Sequence, residues 1–211
     1  MPYTPKDIVT SEAEIRAVIP GQRSEQQAKV IDHIDPLCAA WIARSPYLVM
    51  ATLDAAGRMD VSPKGDPAGF VKVLDPKTLV VPDRPGNHRF DSFQNILETG
   101  RIGLVFLVPN RNEVVRVNGT ARIVRDEDIR EMGAIKGRVP EFVILVDVEE
   151  AFYHCGKAVI RSRLWYPGEA EPVDGLPTYA EALMAHGKLE MAMEALEERL
   201  DHNDKNRLYD E

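Results

Sequence analysis

The chain has 211 residues, of which 44% are hydrophobic and 28% charged, and its formal net charge is −8. That composition is ordinary for a globular protein and gives enough length for one domain with a full core. The acidic balance argues against nucleic acid as the main partner, because phosphate binding favours a basic surface. No apolar run reaches the roughly 18 residues of a membrane-spanning helix, and Met1–Asp7 lacks the apolar stretch of a secretory signal. Two cysteines, Cys38 and Cys155, without a CxxC pair suit reduced thiols. The expectation is a cytoplasmic protein without membrane contact.

In chain order, Ser11-Glu12-Ala13-Glu14 fits a capping box that opens a short helix, and Pro20-Gly21 ends it. Asp35 and Pro36 read as N-cap and first position of a helix over 36–44, with Leu37, Ala40 and Trp41 on one face. Ser45-Pro46 stops that helix. From Tyr47 the apolar period becomes that of strands, over 47–53, 58–63, 70–74 and 78–81, with turns at 54–57 and 75–77. A helix is expected over 91–99, then strands over 102–108, 114–124 and 142–148. The last third turns helical, over 179–186 and 189–200. In the second of these, Leu189, Met193, Leu196 and Leu200 recur at helical spacing and mark one apolar face. So many short strands joined by tight turns argue for an antiparallel barrel with flanking helices rather than a βαβ array. One domain over 1–211 is expected, with N-terminal helices at about 11–45 and a C-terminal helical extension at about 178–211.

Several chemistries find no support. No GxGxxG follows a strand, and GxxxxGK[ST], HExxH and GxSxG are absent. The histidines at 33, 88, 154, 186 and 202 lack metal-ligand spacing. His154 and Cys155 are neighbours, so in extended backbone they point to opposite faces and make a poor nucleophile pair. No side chain stands out as an essential acid or base.

Two segments carry more chemistry. VPDRPGNHRFDSFQNI, over 81–96, gathers Arg84, Asn87, His88, Arg89 and Ser92 where a strand passes into a helix. A helix N-terminus offers N–H groups and the positive end of its dipole to an anion, and arginine adds bidentate geometry. The same residue types also suit an ordinary capped loop. In MDVSPKGDPAGFVKV, over 59–73, Pro63 interrupts a strand and Lys64 follows. Proline there points to a bulge or a sheet edge with free backbone groups, which can read the edge of a planar ring. An edge blunted by Pro and Lys against aggregation is the plainer alternative.

Taken in order, these segments resemble the pyridoxamine 5′-phosphate oxidase-like flavoproteins, and among them a small bacterial branch. The resemblance runs from about Pro46 to Pro167. It is carried by Ser62–Asp66, Asp83–Asn95, Arg116-Val117-Asn118-Gly119, His154–Ala158 and Arg161–Trp165. It implies an antiparallel split β-barrel, a homodimer, and FMN bound in clefts at the dimer interface. Val61, Ser62, Pro63 and Lys64 would line the isoalloxazine ring, and Arg84, Asn87, Arg89 and Ser92 would hold the ribityl phosphate. Arg116 and Asn118 would lie on the strand passing near the flavin. Arg161 and Ser162, with Lys157 and Trp165, fall in a region that in relatives reaches the partner's flavin or the substrate.

There are departures from the family pattern. Asn87-His88-Arg89 stands near the position where the oxidases proper carry Ser-Arg-Lys, and a charged helical tail over 190–211 replaces their substrate-contacting ending. The implied activity is therefore an FMN-dependent oxidoreductase acting on a small molecule, with a nicotinamide or oxygen as second redox partner. A non-catalytic flavin-binding protein for storage or sensing, or a barrel holding haem or deazaflavin, are the alternatives. The tail is expected to be an interaction and packing element outside the redox machinery.

Overall fold

The computed structural model describes residues 2–19 and 21–210. Among the described residues, seven strands build one antiparallel sheet: β1 Tyr47–Leu53, β2 Met59–Gly65, β3 Lys72–Asp75, β4 Thr78–Pro82, β5 Arg101–Leu107, β6 Val114–Val124 and β7 Val143–His154. Their order is β2-β1-β5-β6-β7-β4-β3, so β2 and β3 stand at the two edges and the barrel is split rather than closed. β1, β5 and most of β6 follow the two-residue alternation of a sheet with one face in the core, whereas β4 is buried along most of its length. In β1, Leu48, Met50 and Thr52 are buried while Val49, Ala51 and Leu53 are half-buried. The inward residues join one cluster that runs from Ile34 through Phe106, Val115 and Val117 to Ala151.

Eight α-helices flank the sheet among the described residues: α1 Glu12–Val18, α2 Ser24–Ala28, α3 Pro36–Ile42, α4 Asp91–Thr99, α5 Glu127–Glu131, α6 Lys157–Ser162, α7 Tyr179–Gly187 and α8 Met193–Asn206. Ser11 caps α1 by accepting from the Glu14 N–H, and the expected stop at Pro20 lies outside the described residues. Asp35 caps α3 by accepting from Cys38 N–H at 2.8 Å, with Pro36 in the first turn. That helix turns Cys38, Trp41 and Ile42 into the core, and the Trp41 indole donates to the Phe106 carbonyl at 3.2 Å. α4 packs on β1 through Asn95, whose amide donates to Thr52 Oγ1 at 3.0 Å inside the core. It ends on Gly100 in the left-handed region, φ 67°.

The chain departs from the sequence expectations at several boundaries. The strand expected over 142–148 continues to His154, because β6 is long enough to pair with it from Val124↔Val143 to Val114↔His154. A bulge between Asn118 and Gly119 re-aligns the register, and a Cβ at Gly119 would overlap the Asp147 carbonyl. β2 continues through Pro63 to Gly65, which an edge strand permits. The last helix begins at Met193 rather than 189, after Lys188 caps α7 in the left-handed region, and it extends to Asn206. Leu196 is buried and α8 packs against α7. Three short helices, α2, α5 and α6, have too few turns to show an apolar period and were not expected. No helix among the described residues is long and apolar enough to cross a membrane.

Candidate cofactor cleft

The edge position of β2 leaves one side of its backbone unpaired. The loop that leaves β4 passes in front of this edge before α4 begins. Between them opens a cleft of about 700 Å³, closed by residues 135–142 and by Tyr209. That volume falls within the range of small-molecule and cofactor sites. Val61, Ser62, Pro63, Lys64, Arg84, Asn87, Arg89 and Ser92 all line it, so the two segments singled out in the sequence meet at one place. Arg161 and Ser162 do not line this cleft. They end α6, where Ser162 Oγ donates back to the Val159 carbonyl, and nearby Trp165 Nε1 donates to the Arg111 carbonyl at 2.7 Å. Arg116 and Asn118 also stand apart from the cleft. The Arg116 guanidinium lies 5.0 Å from the Phe152 ring centre, and Asn118 donates to Glu150.

The loop residues have different surroundings. Arg84 Nε donates to Asp66 Oδ2 at 2.6 Å and its Nη2 to the Gly133 carbonyl at 2.8 Å. Two of its three nitrogens thus tie the loop to the end of β2 and to the 133–140 loop, while Nη1 makes only a 3.4 Å contact with the Asp83 carbonyl. Ser92 is buried and its hydroxyl donates to Asp60 Oδ2 at 2.7 Å. Asn87 Oδ1 accepts from the Arg89 N–H at 3.0 Å, a turn of the kind Asn favours, and His88 sits between them at φ 57°. Arg89 is exposed and pairs with Asp91 at 2.7 Å, holding that carboxyl below the usual carboxylate range. Phe90 is the N-cap of α4 and offers no side-chain acceptor to the first-turn N–H groups.

The lining defines what could bind. Lys64, Arg84, Arg89 and Arg138 supply positive charge, and Asp60, Asp83, Asp91 and Glu141 balance it. Val61, Pro63, Phe93, Val139 and Phe142 supply apolar surface, with Phe93 and Phe142 edge to face at 5.9 Å. A planar, largely apolar body with one anionic end fits such walls, whereas a polyanion would meet the four carboxylates. FMN has that character. Its phosphate would find Arg89, Asn87 and the uncapped N–H groups of α4, at the cost of drawing Arg89 from Asp91. No group of three or more His, Cys, Asp or Glu residues among the described residues could hold a metal ion.

Ile135, Arg138, Val139, Phe142 and Tyr209 also line the cleft but were not singled out from the sequence. For Tyr209 a signal existed. It is a lone aromatic in the strongly polar run DHNDKNRLYDE.

Residues 34–155 match the sequence family described as pyridoxamine 5′-phosphate oxidase, which is more than half of the chain. The protein belongs to this family. Among solved structures it is similar to HupZ of Group A Streptococcus, at 26% identity over 57% of this chain and 93% of that chain, TM-score 0.47. It is also similar to an FMN-binding protein of Syntrophomonas wolfei, at 11% identity over 55% of this chain and 82% of that one, TM-score 0.43. A third is HutZ, a heme storage protein of Vibrio cholerae, at 13% identity over 58% and 94%, TM-score 0.39. No curated protein matches the chain.

Proposed function

We propose that the cleft binds FMN and that the protein is an FMN-dependent oxidoreductase acting on a small molecule, with NAD(P)H or oxygen as second redox partner. The observation that carries this reading is the convergence of the β2 edge and the 83–92 loop on one cleft of cofactor size. When bound, FMN supplies the redox chemistry at its ring system, and the protein binds, orients and tunes it. The backbone of 61–64 would line the ring. Asn87 and Arg89, with the start of α4, would hold the phosphate, and Ser92, through Asp60, would fix the helix start against β2. Arg84 would set the position of the loop that carries these donors.

The functional unit is proposed to be a homodimer of single-domain chains in the cytoplasm. The outward residues of β2, β1 and β5 form an apolar face in register, Val61 opposite Ala51 and Val49 opposite Val105. Val61 is 62% exposed, which is unusual for a valine on a sheet and favours a second copy as its cover. In such a dimer Arg161 and Ser162 would serve the partner's cleft. Both cysteines are free, as a reducing compartment would keep them.

The test is to purify the protein, record its visible spectrum and identify any released cofactor. A flavin spectrum that bleaches with NADH or NADPH and recovers in air supports the oxidoreductase. A flavin spectrum that no donor bleaches favours a storage or sensing protein. Failure of the apoprotein to bind added FMN overturns the reading.

A further inference from the structure

The segment after α8 turns back onto the mouth of the cleft. Tyr209 donates its hydroxyl hydrogen to Asp66 Oδ1 at 2.7 Å, and the other oxygen of the same carboxylate takes Arg84 Nε at 2.6 Å. The Tyr209 ring also faces two cations, with Lys136 Nζ 5.0 Å and the Arg84 guanidinium 6.0 Å from its centre. The next residue, Asp210, places Oδ1 2.5 Å from Arg138 Nε. That oxygen is buried and makes no hydrogen bond of good geometry. Tyr209 and Arg138 are both on the cleft wall. The segment therefore bridges the two sides of the mouth, the end of β2 through Asp66 and the 133–140 loop through Lys136 and Arg138.

Apolar packing does not account for this docking. Leu208, the apolar neighbour, remains 60% exposed, while Tyr209 and Asp210 are half-buried. The segment is held by a hydrogen bond, ring–cation contacts and an ion pair, all of them at the cleft. Contacts so few can open locally without unfolding the sheet behind them.

We propose that residues 207–210 are a latch on the ligand cleft, with Tyr209 forming part of its wall and slowing release of the bound ligand. The identity of that ligand rests on the FMN reading above. The latch couples to the loop that carries the phosphate donors, because Asp66 holds Tyr209 and Arg84 together. It goes beyond the sequence expectation of an interaction and packing element outside the redox machinery.

The experiment compares the full chain with Tyr209→Ala and Tyr209→Phe, using added FMN and following flavin fluorescence in stopped flow. Tyr209→Ala is expected to speed FMN dissociation about tenfold or more with a smaller change in association. Tyr209→Phe, which keeps the ring and loses the hydrogen bond, is expected to fall between. Unchanged dissociation in Tyr209→Ala overturns the latch while leaving the FMN reading standing. If wild type binds no FMN, that reading fails, and the latch is tested by amide hydrogen exchange of the unliganded chain. Faster exchange in 83–90 and 133–142 in Tyr209→Ala supports it, and unchanged exchange overturns it.

Discussion

Arg84 Nε stands 2.6 Å from Asp66 Oδ2, and the side chains of the pair are only 17% and 1% exposed. Arg84 was expected to be a phosphate donor, yet its guanidinium already serves Asp66 and the Gly133 carbonyl. Burying an ion pair costs desolvation, which good geometry offsets, but removing one partner strands the other. Arg84→Ala should leave the Asp66 carboxylate buried without its cation and lower stability by about 3–5 kcal/mol. Urea unfolding measures this. A loss below about 1 kcal/mol, as for an exposed pair, would show that Arg84 is no strut.

Arg89 should behave in the opposite way. It is exposed and its partner is the neighbouring Asp91, so Arg89→Ala should leave the urea midpoint nearly unchanged. It should weaken FMN binding by about tenfold or more, the worth of one charge-assisted contact. Asp91→Asn should tighten FMN, since it frees the guanidinium and removes a negative charge beside the phosphate donors. Flavin fluorescence titration at low salt reads both signs. Equal affinities in all three proteins would take Arg89 out of the phosphate site.

The two thiols should differ in reactivity. Burial, with the Asp35 carboxylate beside it, pushes the Cys38 thiol up to about 12, whereas Cys155 is exposed. Thiolate is the nucleophile, so a disulfide reagent at neutral pH should titrate Cys155 promptly and Cys38 only as the protein unfolds. Prompt reaction of both in the native protein would mean that α3 does not hold its core position.

His154 gives a pH dependence. His154 is exposed at the end of β7, yet local desolvation, then Arg116 and Lys29, hold its imidazole below its ordinary value. The folded state therefore takes up this proton at lower pH than the unfolded chain. The stability it contributes is complete above the unfolded pKa of about 6.5 and declines as pH falls through that value toward the folded pKa. Urea midpoints between about pH 7 and 5.5 should fall less steeply in His154→Gln than in wild type. Parallel slopes in the two proteins would remove His154 as the source.

Gly119→Ala tests the bulge that aligns β6 with β7. The added methyl meets backbone, the Asp147 carbonyl, so the strands must separate. A loss of about 1–3 kcal/mol or more is expected from overpacking at a site that cannot yield. A circular dichroism melt at wild-type temperature would show that the register adapts instead.

Local chemistry made much of this protein legible. Asp35 and Pro36 mark a helix start because capping and a preset φ act within one turn. The ranges of α4 and β6 were expected residue for residue, since an apolar period of 3.6 or 2 is written in neighbours. Pro63 pointed to a sheet edge, and β2 is one. The donors from Arg84 to Ser92 and the edge residues from Val61 to Lys64 were recognisable by type and by their order along the chain. The sequence by itself thus determined the strands, the longer helices, the family and the two segments that meet at the cleft.

Tertiary structure alone decided which partners those side chains meet. Arg84 looks like Arg89 in the sequence, but it pairs with Asp66, 18 residues away, whereas Arg89 pairs with its near neighbour Asp91. Tyr209 reaches the same carboxylate across 143 residues, and no periodicity encodes that approach. The strand order β2-β1-β5-β6-β7-β4-β3 likewise rests on pairings between distant segments, and so does the extension of β7 along β6 to His154. The physical reason is common to all four. Caps and periods are satisfied within a few residues, whereas a buried charge or an open strand edge takes its partner from whatever part of the chain the folded sheet brings beside it.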